Sequence, residues 1–191
     1  MLRTLIALLP LALPSPGAEP PRSYALDEVP PQLADAVKRA DAAAQALQRK
    51  LSGRLMEAMK QGGPAGAVNV CRDEAARLTE EAARDTGAVV GRTSDRLRNP
   101  RNVAPRWSAA YVAGAAGKPA SEVRPVVFDL RDKVGVLRPI AVAQPCTKCH
   151  GQPAAVPPDV AKILRAAYPD DRAIGYAEGD HRGFVWVVVP R

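Results

Sequence analysis

Val123-Arg-Pro-Val-Val-Phe-Asp-Leu130 and Lys133-Val-Gly-Val-Leu-Arg-Pro-Ile-Ala-Val142, with a turn at Asp132-Lys133 between them, decide the fold. Both runs are short, rich in β-branched residues and bounded by Pro or Asp, the composition of strands rather than helices. Together they read as an antiparallel hairpin. Ala88–Arg92 upstream and Gly183–Val189 downstream share that texture. Further upstream the period changes. Leu33, Val37, Ala40, Ala44, Leu47, Leu51, Leu55 and Met59 recur three or four apart on one helical stripe, which should stop at Gly62-Gly63-Pro64. A second helix is predicted with Asn69 as N-cap, Asp73 and Glu74 in its first turn, and an end near Thr86-Gly87. Its apolar stripe is Cys71, Ala75, Leu78 and Ala82. Asn99–Pro105 reads as a loop and Trp107–Ala116 as a short helix. Asp159 should cap a brief helix with Val160, Ile163, Leu164 and Ala167 inward. Helices first and several short strands after them predict an α+β fold with an antiparallel sheet.

The N-terminus reads as an export leader. Arg3 precedes an apolar run from Thr4 to Leu13, and Pro14 to Ala18 supply helix breakers and small residues, so residues 1–18 are expected to be a cleaved signal peptide. Residues 19–31, rich in proline and polar side chains, read as a flexible lead-in, and 32–191 as a single domain. About 173 of 191 residues remain after cleavage, enough for one core. No other apolar run is long enough to span a bilayer. A periplasmic or otherwise exported protein without a membrane span is expected. The net charge of +7 falls to +6 when Arg3 leaves. In an exported chain with 4% aromatic residues that surplus argues for solubility or acidic redox partners rather than nucleic acid.

The chemistry lies in Cys146-Thr-Lys-Cys-His150. Two thiols with a two-residue spacer reach one edge of a porphyrin and add across its vinyl groups, and the histidine that follows falls beneath the iron. CxxC alone would be weak, because thiol redox sites and zinc knuckles share it. With three cysteines and two histidines in the whole chain, CxxCH points to one covalent haem c. A Cys₃His zinc site from Cys71, Cys146, Cys149 and a histidine is the lesser alternative. A thiol oxidoreductase lacks the βαβ context that Cys146 and Cys149 would need.

Cys71 is the odd thiol. On the buried stripe and in the first turn of the second helix, it is either an iron ligand, as a thiolate favoured by the helix dipole, or a small buried hydrophobe. Met59 is the main competitor for the distal position, and core packing is the preferred reading for it. Met56 lies off the stripe. His181, in Gly179-Asp-His-Arg-Gly183, reads as a solvated turn residue. Arg92, Arg98 and Asn99 are candidates for the haem propionates, or else a surface salt-bridge set and a tied-down loop. Trp107, Tyr168, Tyr176 and Trp186 are core by default, with a wall of the haem pocket as the alternative.

Beyond the motif, the chain resembles the c-type-haem, PAS-like domain family of bacterial and cyanobacterial sensor and redox proteins. The resemblance rests on Ala67-Val-Asn-Val-Cys71, Gly91-Arg-Thr-Ser94 with Arg98-Asn-Pro-Arg-Asn102, Cys146-Thr-Lys-Cys-His-Gly151, Tyr168-Pro-Asp-Asp171, Ala173-Ile-Gly-Tyr176, and Gly179-Asp180 with Gly183. It implies a PAS-like antiparallel sheet with N-terminal helices packed against it and haem c in the pocket. It also implies a histidine–cysteine axial pair, at His150 and Cys71. The chain departs from the family at Ala104-Pro-Arg-Trp-Ser108, where acidic residues would flank the tryptophan, which puts partner contacts in question. The expected function is a monohaem redox or gas sensor acting on a separate protein partner, with a small gas as ligand. A periplasmic electron carrier is the alternative. Two endogenous ligands leave no iron position for a substrate, so an enzyme is not expected.

Overall fold

Alternation in the β-branched runs produces a five-stranded sheet. The structure is a computed structural model that describes residues 20–191; the expected signal peptide lies outside the described residues. The strands are β1 (Ser23–Ala25), β2 (Val89–Thr93), β3 (Val126–Asp129), β4 (Lys133–Ala141) and β5 (His181–Pro190), in the order β1-β3-β4-β5-β2. Every pairing is antiparallel. The fold is α+β, as expected.

Register sorts the side chains to two faces. Val90, Val187 and Val136 stand side by side in one row, and Gly91, Trp186 and Leu137 form the next. The first row belongs to the face covered by α1 (Ala34–Asn69), where Val127, Val134, Val185 and Val189 meet Leu33, Val37, Ala40, Ala43, Ala44 and Leu47. The alanines let the helix backbone approach the sheet closely. Leu47 is fully buried, which stabilises the chain by roughly 1.5–3 kcal/mol relative to an exposed side chain. The opposite face is covered by α3 (Ala109–Gly114) and the loop before it, with Trp107, Tyr111 and Val112 on Phe128, Leu137 and Phe184. The rings of Trp107 and Phe128 meet edge to face at 5.1 Å. Trp107 and Trp186 therefore belong to this core.

Four local expectations change. First, Ser23–Ala25, inside the predicted flexible lead-in, is an edge strand whose backbone pairs with Val126–Phe128. Second, Gly62 (φ −131°, ψ 16°) and Gly63 (φ 63°, ψ −165°) break α1, but the chain turns helical again at Pro64. Proline suits a helix start because it has no N–H to leave unpaired. The helix then runs through one π turn, Val70–Glu74, into α2 (Ala75–Thr86), and ends at Gly87 (φ 65°). Asn69 (φ −61°) is thus inside the helix and caps nothing. Third, Asp159 lies in the first turn of α5 (Pro158–Ala167) without capping it, because Pro157 and Pro158 take the cap and first positions. Finally, the β3–β4 turn centres on Arg131, with φ 72°, and the Leu130 N–H donates to the Lys133 carbonyl at 2.9 Å.

Candidate metal centre

The motif follows β4 directly. Ala143 leaves the sheet, Gln144–Cys146 form a 3-10 turn, and Thr147–His150 form the four-residue helix α4. The Thr147 hydroxyl donates to the Gln144 carbonyl at 2.8 Å, and the Gly151 N–H to the Thr147 carbonyl at 2.8 Å. A Cβ at position 151 would collide with that carbonyl, so the residue after the histidine must be glycine for this turn to close.

His150 is set by one hydrogen bond. Its Nδ1 donates to the Ala173 carbonyl at 2.7 Å, which leaves Nε2 with the free lone pair. Burial holds its pKa well below the usual histidine range, and Arg98, Arg182 and Arg92 push the same way. A neutral imidazole with Nε2 free is the form that binds a metal. The segment that supplies the carbonyl is laced to the motif at several points. The Gly175 N–H donates to the Gly151 carbonyl at 2.8 Å and the Tyr176 N–H to the His150 carbonyl at 2.9 Å. Asp171 Oδ1 accepts from the Ala173 N–H at 2.8 Å.

Arg98 ties these parts together. It is 9% exposed; its Nε donates to Asp171 Oδ2 at 2.9 Å, and its Nη2 donates to the carbonyls of Cys149 and Ala173. It therefore acts as an internal clamp. Asn99 accepts from the Arg101 N–H at 2.9 Å and shapes its own loop. Of the three sequence candidates for the propionates, Arg98 is thus engaged within the protein through Nε and Nη2, and Asn99 through Oδ1.

The cysteines gather at one end of the sheet. Cys149 packs against Val68, Val156, Val160 and Leu164, with Tyr168 beside them. Its thiol is pushed up to about 11, mainly by burial, with Arg98 opposing and the neighbouring Cys71 and Cys146 adding to the rise. Cys146 packs on Val142, Ala173 and Tyr176. Cys71 is half-buried in the π turn, one turn beyond Val68. It is not in a first helical turn, so the helix dipole gives its sulfur none of the stabilisation inferred from the sequence. π turns inside helices recur at functional positions. The three thiols are free.

Among the described residues, no three His, Cys, Asp or Glu side chains converge as a set that would hold a metal ion. The geometry therefore lends no support to the Cys₃His zinc site. Two thiols, one imidazole with Nε2 free and a third thiol on the neighbouring helix do fit a haem. The other candidates lie elsewhere. Met56 is exposed and Met59 half-buried on the long helix. His181 is not a solvated turn residue: it is 5% exposed, 4.4 Å edge to face from Phe184, with no hydrogen bond on either ring nitrogen. Two residues not singled out for the site in the sequence have roles here. Asp171 holds Arg98, and Arg182 is a half-buried guanidinium whose carbon stands 5.4 Å from the Tyr176 ring centroid. Tyr176 is also edge-on to His150 at 6.3 Å.

The sequence profile of the Tll0287-like family matches residues 24–190, almost all of the described chain. The chain belongs to the Tll0287-like family. A similar solved structure is that of the cyanobacterial heme-protein Tll0287, with a TM-score of 0.55 and 21% identity over 85% of this chain and 97% of that one. At that identity the likeness shows the fold, the same α+β arrangement of a five-stranded antiparallel sheet under a long N-terminal helix. No curated protein matches the chain. Membership of the Tll0287-like family agrees with the resemblance drawn from the sequence blocks. Within the described residues no helix is long and apolar enough to cross a membrane.

Proposed function

We propose that this chain is an exported, monohaem c-type cytochrome of PAS-like fold that works as a haem-based redox or gas sensor. Cys146 and Cys149 are the attachment thiols, His150 the proximal ligand and Cys71 the distal one. The observation that carries this reading is the His150 Nδ1 bond to the Ala173 carbonyl. It turns Nε2 outward as an acceptor within a CxxCH turn that has a third thiol close by. The solved relative is a cyanobacterial haem protein, and its fold agrees with this one. When bound, the haem iron supplies one-electron chemistry and a site for small gases. The chain's own contribution is to hold the imidazole neutral and oriented, and to present a soft sulfur opposite it.

One feature favours a sensor over an electron carrier. Cys71 sits beyond the Gly62–Gly63 break, on a helical segment separated from the half of α1 clamped on the sheet. The break is a hinge at which a ligand-bearing helix can shift against its packing on α1 and the sheet, and the shifted helix is then the signal to a separate protein partner. Removal of a simple carrier's ligand would change potential without moving a surface.

The deciding experiment is the visible spectrum of protein matured in cells with haem-c attachment machinery. A haem spectrum that survives acid–acetone extraction, with thiolate-to-iron charge-transfer bands lost in Cys71→Ala, is the expected result. A haem spectrum indifferent to Cys71→Ala removes Cys71 from the iron. A protein without haem absorption overturns the proposal.

A further inference from the structure

Of the six partly or fully buried arginines among the described residues, three have a carboxylate, and Arg96 donates its Nε to the Arg172 carbonyl at 3.1 Å. Arg54 makes two hydrogen bonds to Glu74 at 2.9 and 2.8 Å, Arg98 pairs with Asp171, and Arg138 pairs with Asp41. Arg92 on β2 and Arg182 on β5 break the pattern. Both are half-buried, and desolvation lowers their pKa, yet among the described residues neither has a carboxylate within ion-pair distance. Arg182 has only the Arg96 carbonyl, at 3.3 Å. The Tyr176 hydroxyl is also buried without a hydrogen-bond partner, in a residue 4% exposed. A buried cation or hydroxyl left in this state is costly, and proteins normally satisfy such groups.

Arg182 stands beside Tyr176, and Arg92 lies on the strand paired with β5, opposite Val185. The guanidinium carbons of Arg96 and Arg182 stand 4.2 and 5.4 Å from the centroid of the Tyr176 ring. Tyr176 packs on Cys146 and stands edge-on to His150, while Arg92 and Arg182 both act on the charge of His150. Two unpaired guanidinium groups and one unpaired hydroxyl beside the attachment motif match a ligand with two carboxylates. Planar guanidinium forks bind carboxylates through paired, charge-assisted hydrogen bonds.

We infer that Arg92, Arg182 and Tyr176 form the carboxylate-binding subsite for the two propionates of the haem. This inference rests on the haem reading above and names the residues that complete that site. Arg98 is left out of it, because its Nε and Nη2 are already engaged by Asp171 and the carbonyls of Cys149 and Ala173.

The test is resonance Raman spectroscopy of the matured protein, read at the propionate bending band, which responds to hydrogen bonds on those carboxylates. Arg92→Met, Arg182→Met and Tyr176→Phe should each shift the band, while Arg124→Met, on the exposed stretch before β3, leaves it in place. Tyr176→Phe removes a single oxygen and keeps the ring beside its guanidinium neighbours, so it remains informative if an arginine variant fails to fold. Arg182→Lys, which keeps the charge but loses the fork, should give a smaller shift than Arg182→Met. A band unmoved in Tyr176→Phe and in whichever arginine variants fold overturns the subsite while leaving the haem in place. A protein with no haem bands at all defeats the haem reading itself.

Discussion

His181 shows how a residue's surroundings can reverse its sequence reading. Flanked by Asp180, Arg182 and two nearby glycines, it looks like part of a solvated turn, yet it opens the interior strand β5 and is buried on Phe184. Burial lowers its pKa below the usual histidine value, opposed by the nearby Asp95 and by the carbonyls of Gly183 and Ala115. The unfolded chain then binds a proton that the folded chain refuses. Stability from this group is complete above about pH 6.5 and is lost as pH falls below it, with a slope of at most about 1.4 kcal/mol per pH unit. His181→Phe should flatten that part of the profile, measured by thermal unfolding of the haem protein at stepped pH between 7 and 5. An unchanged profile would show that His181 titrates normally. The attachment motif was legible at this scale because its chemistry is local, with five residues carrying all of it. Arg182 and Asp171 were not singled out, because their partners lie far away in the chain and no spacing rule joins them.

At the scale of elements, period and punctuation carried most of the information. Alternating β-branched runs marked the four longer strands, and the three-to-four spacing from Leu33 to Met59 marked the long helix. Gly-Gly-Pro was the ambiguous sign, since it ends one helix and its proline also begins another. Reading only the stop displaced the second helix by several residues and gave Cys71 a dipole it does not have. The three-residue edge strand β1 escaped because so short a strand among prolines has no period to detect. The β3–β4 hairpin offers a direct check. Arg131 holds φ 72°, a conformation that costs an ordinary residue roughly 1 kcal/mol and glycine very little. Arg131→Gly should therefore raise stability by about 0.5 kcal/mol after allowing for glycine's freer unfolded chain, read as a higher denaturation midpoint with unchanged m-value. A lowered midpoint would mean that the arginine makes contacts that matter more than its backbone.

For the whole molecule, the Arg98–Asp171 pair is the tie that joins distant segments. It links the loop after β2, the CxxCH turn and the stretch ahead of β5. Arg98→Met leaves Asp171 buried without its partner and two carbonyls, of Cys149 and Ala173, without this N–H donor. A loss of about 3–5 kcal/mol is expected, seen in urea unfolding of the haem protein. Asp171→Asn should cost less, because it keeps a hydrogen-bond acceptor and buries no orphan carboxylate. Equal losses would show that the pair contributes only as packing.

The strand order also has a bearing on how the chain comes to be folded. β5 is the last strand in sequence, yet it lies between β4 and β2, and β1 waits for β3 more than a hundred residues further along. A growing polypeptide therefore lacks the Val185, Val187 and Val189 part of the platform for its long helix until β5 has been made. Folding dominated by such late, non-local pairings is slow and cooperative. The chain passes through its synthesis as an open thread, and the thiols of Cys146 and Cys149 stay within reach of other molecules until the last strand slides into the middle.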